Sequence, residues 1–219
     1  MKTMKTRNHS LNTHLALAAV LALTAAGTAQ AALTMALTGD APTPADTYWA
    51  GEIDGYMFTV GAQDINVSWL GWYDAPNDGA GSIGDGLKGE IQIGIWETTS
   101  TILLTQTTLD SGTNGTAMSG SFRGQNITPV TLSANTTYTI AGHGLGGDLI
   151  HDFHGTTGFT INGITMIGGI YGYDLSMSTM PNNGWEYLIG PNFGFTIPEP
   201  SALLLGSASL LLLLRRHRK

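Results

Sequence analysis

The densest run of reactive side chains in this 219-residue chain is His143-Gly144-Leu145-Gly146-Gly147-Asp148-Leu149-Ile150-His151-Asp152-Phe153-His154. Three imidazoles and two carboxylates this close together could ligate zinc or another transition metal, with His151 and His154 converging on one ion from a turn. Their spacing matches no zinc signature, and the Gly-rich composition reads equally well as an exposed loop. A second group, Asp74, Asn77, Asp78 and Asp85, sets hard oxygen ligands among glycines, which is the donor set calcium prefers. It lacks the ligand order and closing Glu of an EF-hand, and the local side-chain-to-backbone turns favoured by Asp and Asn account for the same residues.

Aromatic residues form a third group. Trp69, Trp72, Tyr73 and Trp96 could stack on the apolar faces of sugar rings. Alternation assigns Trp69 to the core, on one face with Ile65 and Val67, with Gly71 permitting a bulge just beyond. Trp72 and Tyr73, next to the acidic loop, are then the pair expected to be exposed to a glycan. For catalysis the residues offer little: there is no nucleophile elbow, Walker loop or His-Glu-x-x-His, and there is no cysteine. The expectation is a protein that is not an enzyme and carries no cofactor, with calcium at the acidic loop as the candidate ion.

The elements that would hold these groups are strands. Ile91, Ile93 and Ile95 alternate with Glu90, Gln92 and Gly94 before Trp96, the period-two pattern of a half-buried strand. The runs Ile65 to Tyr73, Ile102 to Leu104, Val130 to Leu132, Tyr138 to Ile140, Ile164 to Ile170 and Phe193 to Phe195 follow suit, separated by Gly, Asn, Asp and Pro clusters. About eight to ten short strands at this spacing predict an all-β, two-sheet sandwich of jelly-roll type over residues 32–197. Charged residues are scarce at 11%, and the 30 glycines together with recurrent threonine favour strands and tight turns over helices.

Charge divides the chain into a body and two ends. Lys2, Lys5, Arg7, Arg215, Arg216, Arg218 and Lys219 are terminal, so between residues 32 and 200 two bases, Lys88 and Arg123, face all sixteen carboxylates, a balance of −14. Such a body repels nucleic acid and anionic lipid, which leaves divalent cations and neutral glycans as candidate partners. Without cysteine it has neither disulfides nor a thiolate site.

The ends read as addresses. Residues 1–31 carry a basic start, an apolar run from Leu15 to Ala26 and a small-residue close with Ala29 and Ala31 in A-x-A spacing, predicting Sec export and cleavage after Ala31. Twelve apolar residues rise about 18 Å, well short of a hydrocarbon core of about 30 Å, which disfavours a permanent N-terminal anchor. At the far end Pro198-Glu199-Pro200 interrupts the last strand, a helix is expected over 201–214, and Arg215, Arg216, Arg218 and Lys219 form a basic stop that stays cytoplasmic.

This ordered triplet of Pro198-Glu199-Pro200, the Ser201-Ala202-Leu203-Leu204-Leu205-Gly206 helix start and an Arg-rich terminus resembles the PEP-CTERM sorting tail. The resemblance covers residues 198–219 and implies a precursor exported through the Sec translocon. It further implies retention in the inner membrane by that single short helix and processing by an exosortase-type membrane protease, in a Gram-negative bacterium that makes exopolysaccharide. A plain C-terminal anchor would share the helix and basic end without needing the Pro-Glu-Pro. The body is similar to a β-sandwich domain of uncharacterised function that precedes such tails, on blocks such as Trp69-Leu70-Gly71, Ile91 to Trp96, Gly120-Ser121-Phe122-Arg123 and Gly190-Pro191-Asn192-Phe193. The expectation is a non-catalytic protein of the cell surface or exopolysaccharide matrix, and the alternative is a lectin-like, calcium-assisted glycan-binding module.

Overall fold

The alternating apolar runs become antiparallel strands in the computed structural model, which describes residues 31–39, 53–74, 84, 86–144, 158–173, 180–181, 183–185 and 188–198. In chain order these are β1 (Thr34–Met35), β2 (Leu37–Gly39), β3 (Ile53–Val60), β4 (Ile65–Tyr73), β5 (Ile91–Glu97), β6 (Ile102–Leu109) and β7 (Ala117–Ser119). They continue with β8 (Phe122–Leu132), β9 (Thr137–Gly144), β10 (Phe159–Ile161), β11 (Ile164–Gly172), β12 (Asn183–Trp185) and β13 (Pro191–Thr196). One sheet has the order β1-β13-β4-β8-β7, another the order β12-β11-β3-β9-β5-β6, and β10 pairs with β2 alone. The described residues contain no helix, and so none long and apolar enough to cross a membrane; the helices expected within 1–31 and at 201–214 lie outside them.

Chain tracing alternates between the two large sheets, and their facing sides supply the core. Ile91, Ile93 and Ile95 point inward together, as their alternation requires, with Tyr56, Phe58 and Val60 from β3 and Phe193 and Phe195 from β13. Phe58 and Phe193 meet across the gap with ring centroids 4.9 Å apart, in the tilted arrangement that aromatic quadrupoles favour. The outer face of the six-stranded sheet carries a second, smaller cluster of Ile53, Trp96 and Ala141, packed on by Leu103 and Met180.

One irregularity differs in place from the expectation. A bulge between Val67 and Trp69 shifts the register of β4 against both β8 and β13. Trp69 stays in the main core cluster with Ile65 and Val67, and its ring lies against Gly71 and Gly124. Gly71 is therefore required for close approach of the indole, and the bulge sits three residues earlier than expected.

Three of the four edges of the two large sheets are short, the exception being the eight-residue β6. β1, β7 and β12 have two or three residues each, and β8 continues past β7 with Pro129 in a stretch where its register against β4 breaks. A missing donor is tolerated there because no ladder bond is lost. Residues Ala32–Pro198 form one unit by their internal contacts; the second unit, Met1–Ala31 with Glu199–Lys219, falls outside the described residues apart from Ala31.

Candidate functional site

Register fixes which strand ends share a pole of the sandwich. Trp72, near the end of β4, has its ring against Gly142 near the end of β9 and against Gly190 just before β13. Asp54 at the start of β3 pairs with Gly142, Ile91 at the start of β5 pairs with both Gly144 and Leu109, and Tyr73 pairs with Phe122. All these ends therefore lie at one pole. The connections after β2, β4, β9 and β11 begin there, and those leading to β3 and β5 end there. The opposite pole is built of short turns: 61–64, 98–101, 133–136 and 162–163. Asn135 adopts φ 54° in one of them, a left-handed conformation that Asn tolerates, and its N–H donates to the carbonyls of Val60 and Gly61.

The two acidic or imidazole-bearing stretches of the sequence, 74–85 and 143–154, thus begin at the same pole, at Asp74 and His143. Asp54, Asp74, Glu90 and Asp110 are seated at strand ends there, while eight further carboxylates, among them Asp78, Asp85, Asp148 and Asp152, belong to connections that start from it. Asp78, Asp85, His151 and His154 themselves lie outside the described residues. So do Ala29, Glu199, Pro200 and the basic stop Arg215, Arg216, Arg218 and Lys219.

The best-defined polar constellation at this pole centres on Asp74 and Arg123. Arg123 Nε donates to Asp74 Oδ2 at 2.6 Å, with both side chains buried. The backbone N–H of Gly86 reaches Asp74 Oδ1 at 3.2 Å, so both carboxylate oxygens are engaged. The guanidinium donates further through Nη2 to the Gly84 carbonyl at 2.7 Å and through Nη1 to Thr116 Oγ1 at 3.5 Å. The Asp74 backbone closes the same loop, its N–H donating to Ser121 and its carbonyl accepting from Gly84. A desolvated ion pair persists only when its remaining valences are filled, and this one has them filled by the strands and loop it joins. Asp74, singled out by sequence as a calcium ligand, is a structural anchor.

Trp72 and Tyr73 correct the sequence reading most directly. Both were expected to face solvent beside the loop, and both are buried. Trp72 fills a socket that exists because residues 142 and 190 have no Cβ. Tyr73 lies edge-on to Phe122 and Phe159, with centroids 5.6 Å and 5.9 Å away. Neither presents a ring face to a sugar. His143 is likewise buried, on β9, instead of opening an exposed loop. Among the described residues no three His, Asp or Glu side chains are grouped to hold a metal ion.

Sequence reasoning also passed over two asparagines. Asn192 is fully buried; its Oδ1 accepts from the N–H of Leu37 at 3.0 Å and of Phe193 at 2.8 Å, and its Nδ2 donates to the Leu37 carbonyl at 2.9 Å. Asn162 Nδ2 donates to the Met35 carbonyl at 3.1 Å, and its backbone N–H donates to Ala36. Asn192 thus clamps Leu37 to β13, and Asn162 ties Met35 and Ala36 to the turn before β11. Deeper in the core, Tyr56 has its hydroxyl buried without a hydrogen-bond partner among the described residues, and burial pushes its phenol pKa up.

The clamp determines where the ends of the body emerge. β1 pairs with β13 through Thr34 with Phe195 and Met35 with Gly194, and Thr196 at the end of β13 pairs with Asn66 at the start of β4. Ala32 and Pro198 therefore leave the sandwich side by side, at the short-turn pole. No protein-family model matches this sequence, and comparison with curated proteins finds no match.

Proposed function

We propose that this chain is an exported, non-catalytic protein of the cell surface or exopolysaccharide matrix, sorted by a PEP-CTERM tail that begins at Pro198. One observation supports it above the others: β13 ends at Thr196, two residues before Pro198, and Thr34, three residues after the expected signal-cleavage site, pairs with Phe195 beside that exit. The sandwich is a self-contained body fitted between the two segments that the sequence marks for processing. The ionisable groups best placed for chemistry at the far pole, Asp74 and Arg123, are used to hold a loop. On this reading the body is of jelly-roll type, residues 1–31 are removed after Sec export, and an exosortase-type enzyme acts on the Pro198-Glu199-Pro200 tail with its 201–214 helix.

Intact-mass measurement of the protein from its own cells tests this. A mass lacking residues 1–31 and the 201–219 tail is expected; a mature mass that retains residues 201–219 means a permanent anchor and removes the sorting reading.

That the 74–85 and 143–154 stretches begin at one pole, at Asp74 and His143, favours a second role, that of a glycan-binding face assisted by calcium through Asp78 and Asp85. With Trp72 and Tyr73 buried, such a face would rest on the connections themselves. Calorimetric titration of the 32–198 body with calcium, followed by a glycan array, checks it. Absence of both heat and glycan capture ends it.

A further inference from the structure

We infer that the short-turn pole is a membrane-facing surface and that the long-connection pole is held away from the bilayer, a deduction that rests on the tail being a membrane segment. Three observations carry it.

The first is where the chain leaves. Ala32 and Pro198 exit together at the short-turn pole, because β1 and β13 are neighbours in register and Asn192 clamps Leu37 to β13. The second is how little chain separates that exit from the helix expected at Ser201. Residues 197–200 can span at most about 14 Å when fully extended. β4, with nine residues, runs about 30 Å from one pole to the other. Inverting the body would require the tether to travel that whole length, more than twice its reach. The geometry forbids the long-connection pole from meeting the membrane as long as the tail is in place.

The third is polarity. In the turns of the exit pole the carboxylates are Asp64 and Glu97, and Glu97 is folded back onto the backbone N–H groups of Thr99 and Ser100. Leu33 and Ile197 stand beside the exit with 48% and 40% of their surface exposed, apolar side chains suited to the headgroup boundary. The opposite pole holds Asp54, Glu90 and Asp110 against Lys88, with Asp74 and Arg123 neutralising each other, and the eight other carboxylates noted above belong to connections that begin there. Anionic lipid therefore repels that pole more strongly than the exit pole. Connectivity, tether length and charge agree.

The absence of cysteine makes the test direct. Single-cysteine variants Gln63→Cys at the exit pole and Ser111→Cys at the far pole, both at exposed positions, are placed in the full chain and expressed with signal and tail. Membrane-bound protein on intact spheroplasts is reacted with a bulky maleimide-polyethylene glycol reagent. Ser111→Cys should label several-fold faster than Gln63→Cys, and the difference should vanish in a chain ending at Ile197. Thr99→Cys and Lys88→Cys, also exposed, repeat the comparison if either first variant folds poorly. Equal rates in the membrane-bound chain overturn the orientation and leave the sorting reading intact. Expression is in a host without an exosortase-type enzyme, so the tail is retained; there, a chain never found in the membrane fraction overturns both.

Discussion

Arg123 Nε lies 2.6 Å from Asp74 Oδ2 inside the sandwich, although 49 residues separate them. The pair joins the start of β8 to the loop that leaves β4, and it consumes one of the two cations between residues 32 and 200. Removing one partner strands the other in a dry site. Asp74→Ala should therefore lower unfolding free energy by about 3–5 kcal/mol. An Asp74→Leu/Arg123→Met double substitution should lose less than either single change, because no buried charge is left unpaired. Chemical denaturation of the 32–198 body reads both, and a double variant no better than Asp74→Ala contradicts the assignment.

Trp72 depends on two glycines distant from it in sequence. A Cβ at residue 190 would enter the indole ring, and one at residue 142 would stand 2.7 Å from it. Gly190→Ala should cost about 1–3 kcal/mol by overpacking. It should also shift tryptophan emission as the ring moves. Unchanged stability and spectrum would show that the socket is looser than described.

Asn192 satisfies both the N–H and the carbonyl of Leu37 from a site with no access to water. Asn192→Ala leaves those backbone groups unpaired, at about 1–3 kcal/mol for each buried unsatisfied group. Hydrogen exchange should locate the loss: the Leu37 amide is expected to lose protection before amides of β3 and β9. Uniform loss across all strands would mean that the clamp is not local.

Hydrogen bonds from Ser100, and then from Thr99, hold the Glu97 carboxyl below its ordinary value. A carboxylate depressed by folding stabilises the fold above its unfolded pKa, and that contribution is lost as pH falls through the lower folded value. Wild type should be more stable than Glu97→Gln near neutral pH, with the gap closing below about pH 4, where unfolded-state carboxylates protonate. A gap of the same size at both ends of the titration would place the effect elsewhere.

Much of this architecture was legible from alternation. Ile91, Ile93 and Ile95 point as a period of two demands, and the Gly, Asn and Asp clusters fall between strands. Trp69 is in the core with Ile65 and Val67 as alternation demands, although the bulge at Ser68 has no mark in the residue types. Exposure failed at Trp72 and Tyr73, because adjacency to a polar loop says nothing about sockets made by residues 142 and 190. At the pole, the described members of the segments that composition singled out, Asp74 and His143, are buried. Asp74 is chemically a fit calcium ligand, and what decides its role is Arg123, a partner that a local reading does not supply. The one available signal was scarcity: a body with two cations makes each of them a suspect for burial in a pair.

The pairing of Thr34 with Phe195 also bears on when folding can finish. β1 has its partner almost at the end of the body, and β4 likewise waits for β13. Contacts this distant along the chain close late. On the export route proposed above, the five-stranded sheet would stay incomplete until Thr196 had crossed, as the 198–219 segment reached the translocon. Completion of the fold and arrest of transfer would then be nearly simultaneous, with the tail acting as a clock as much as an address.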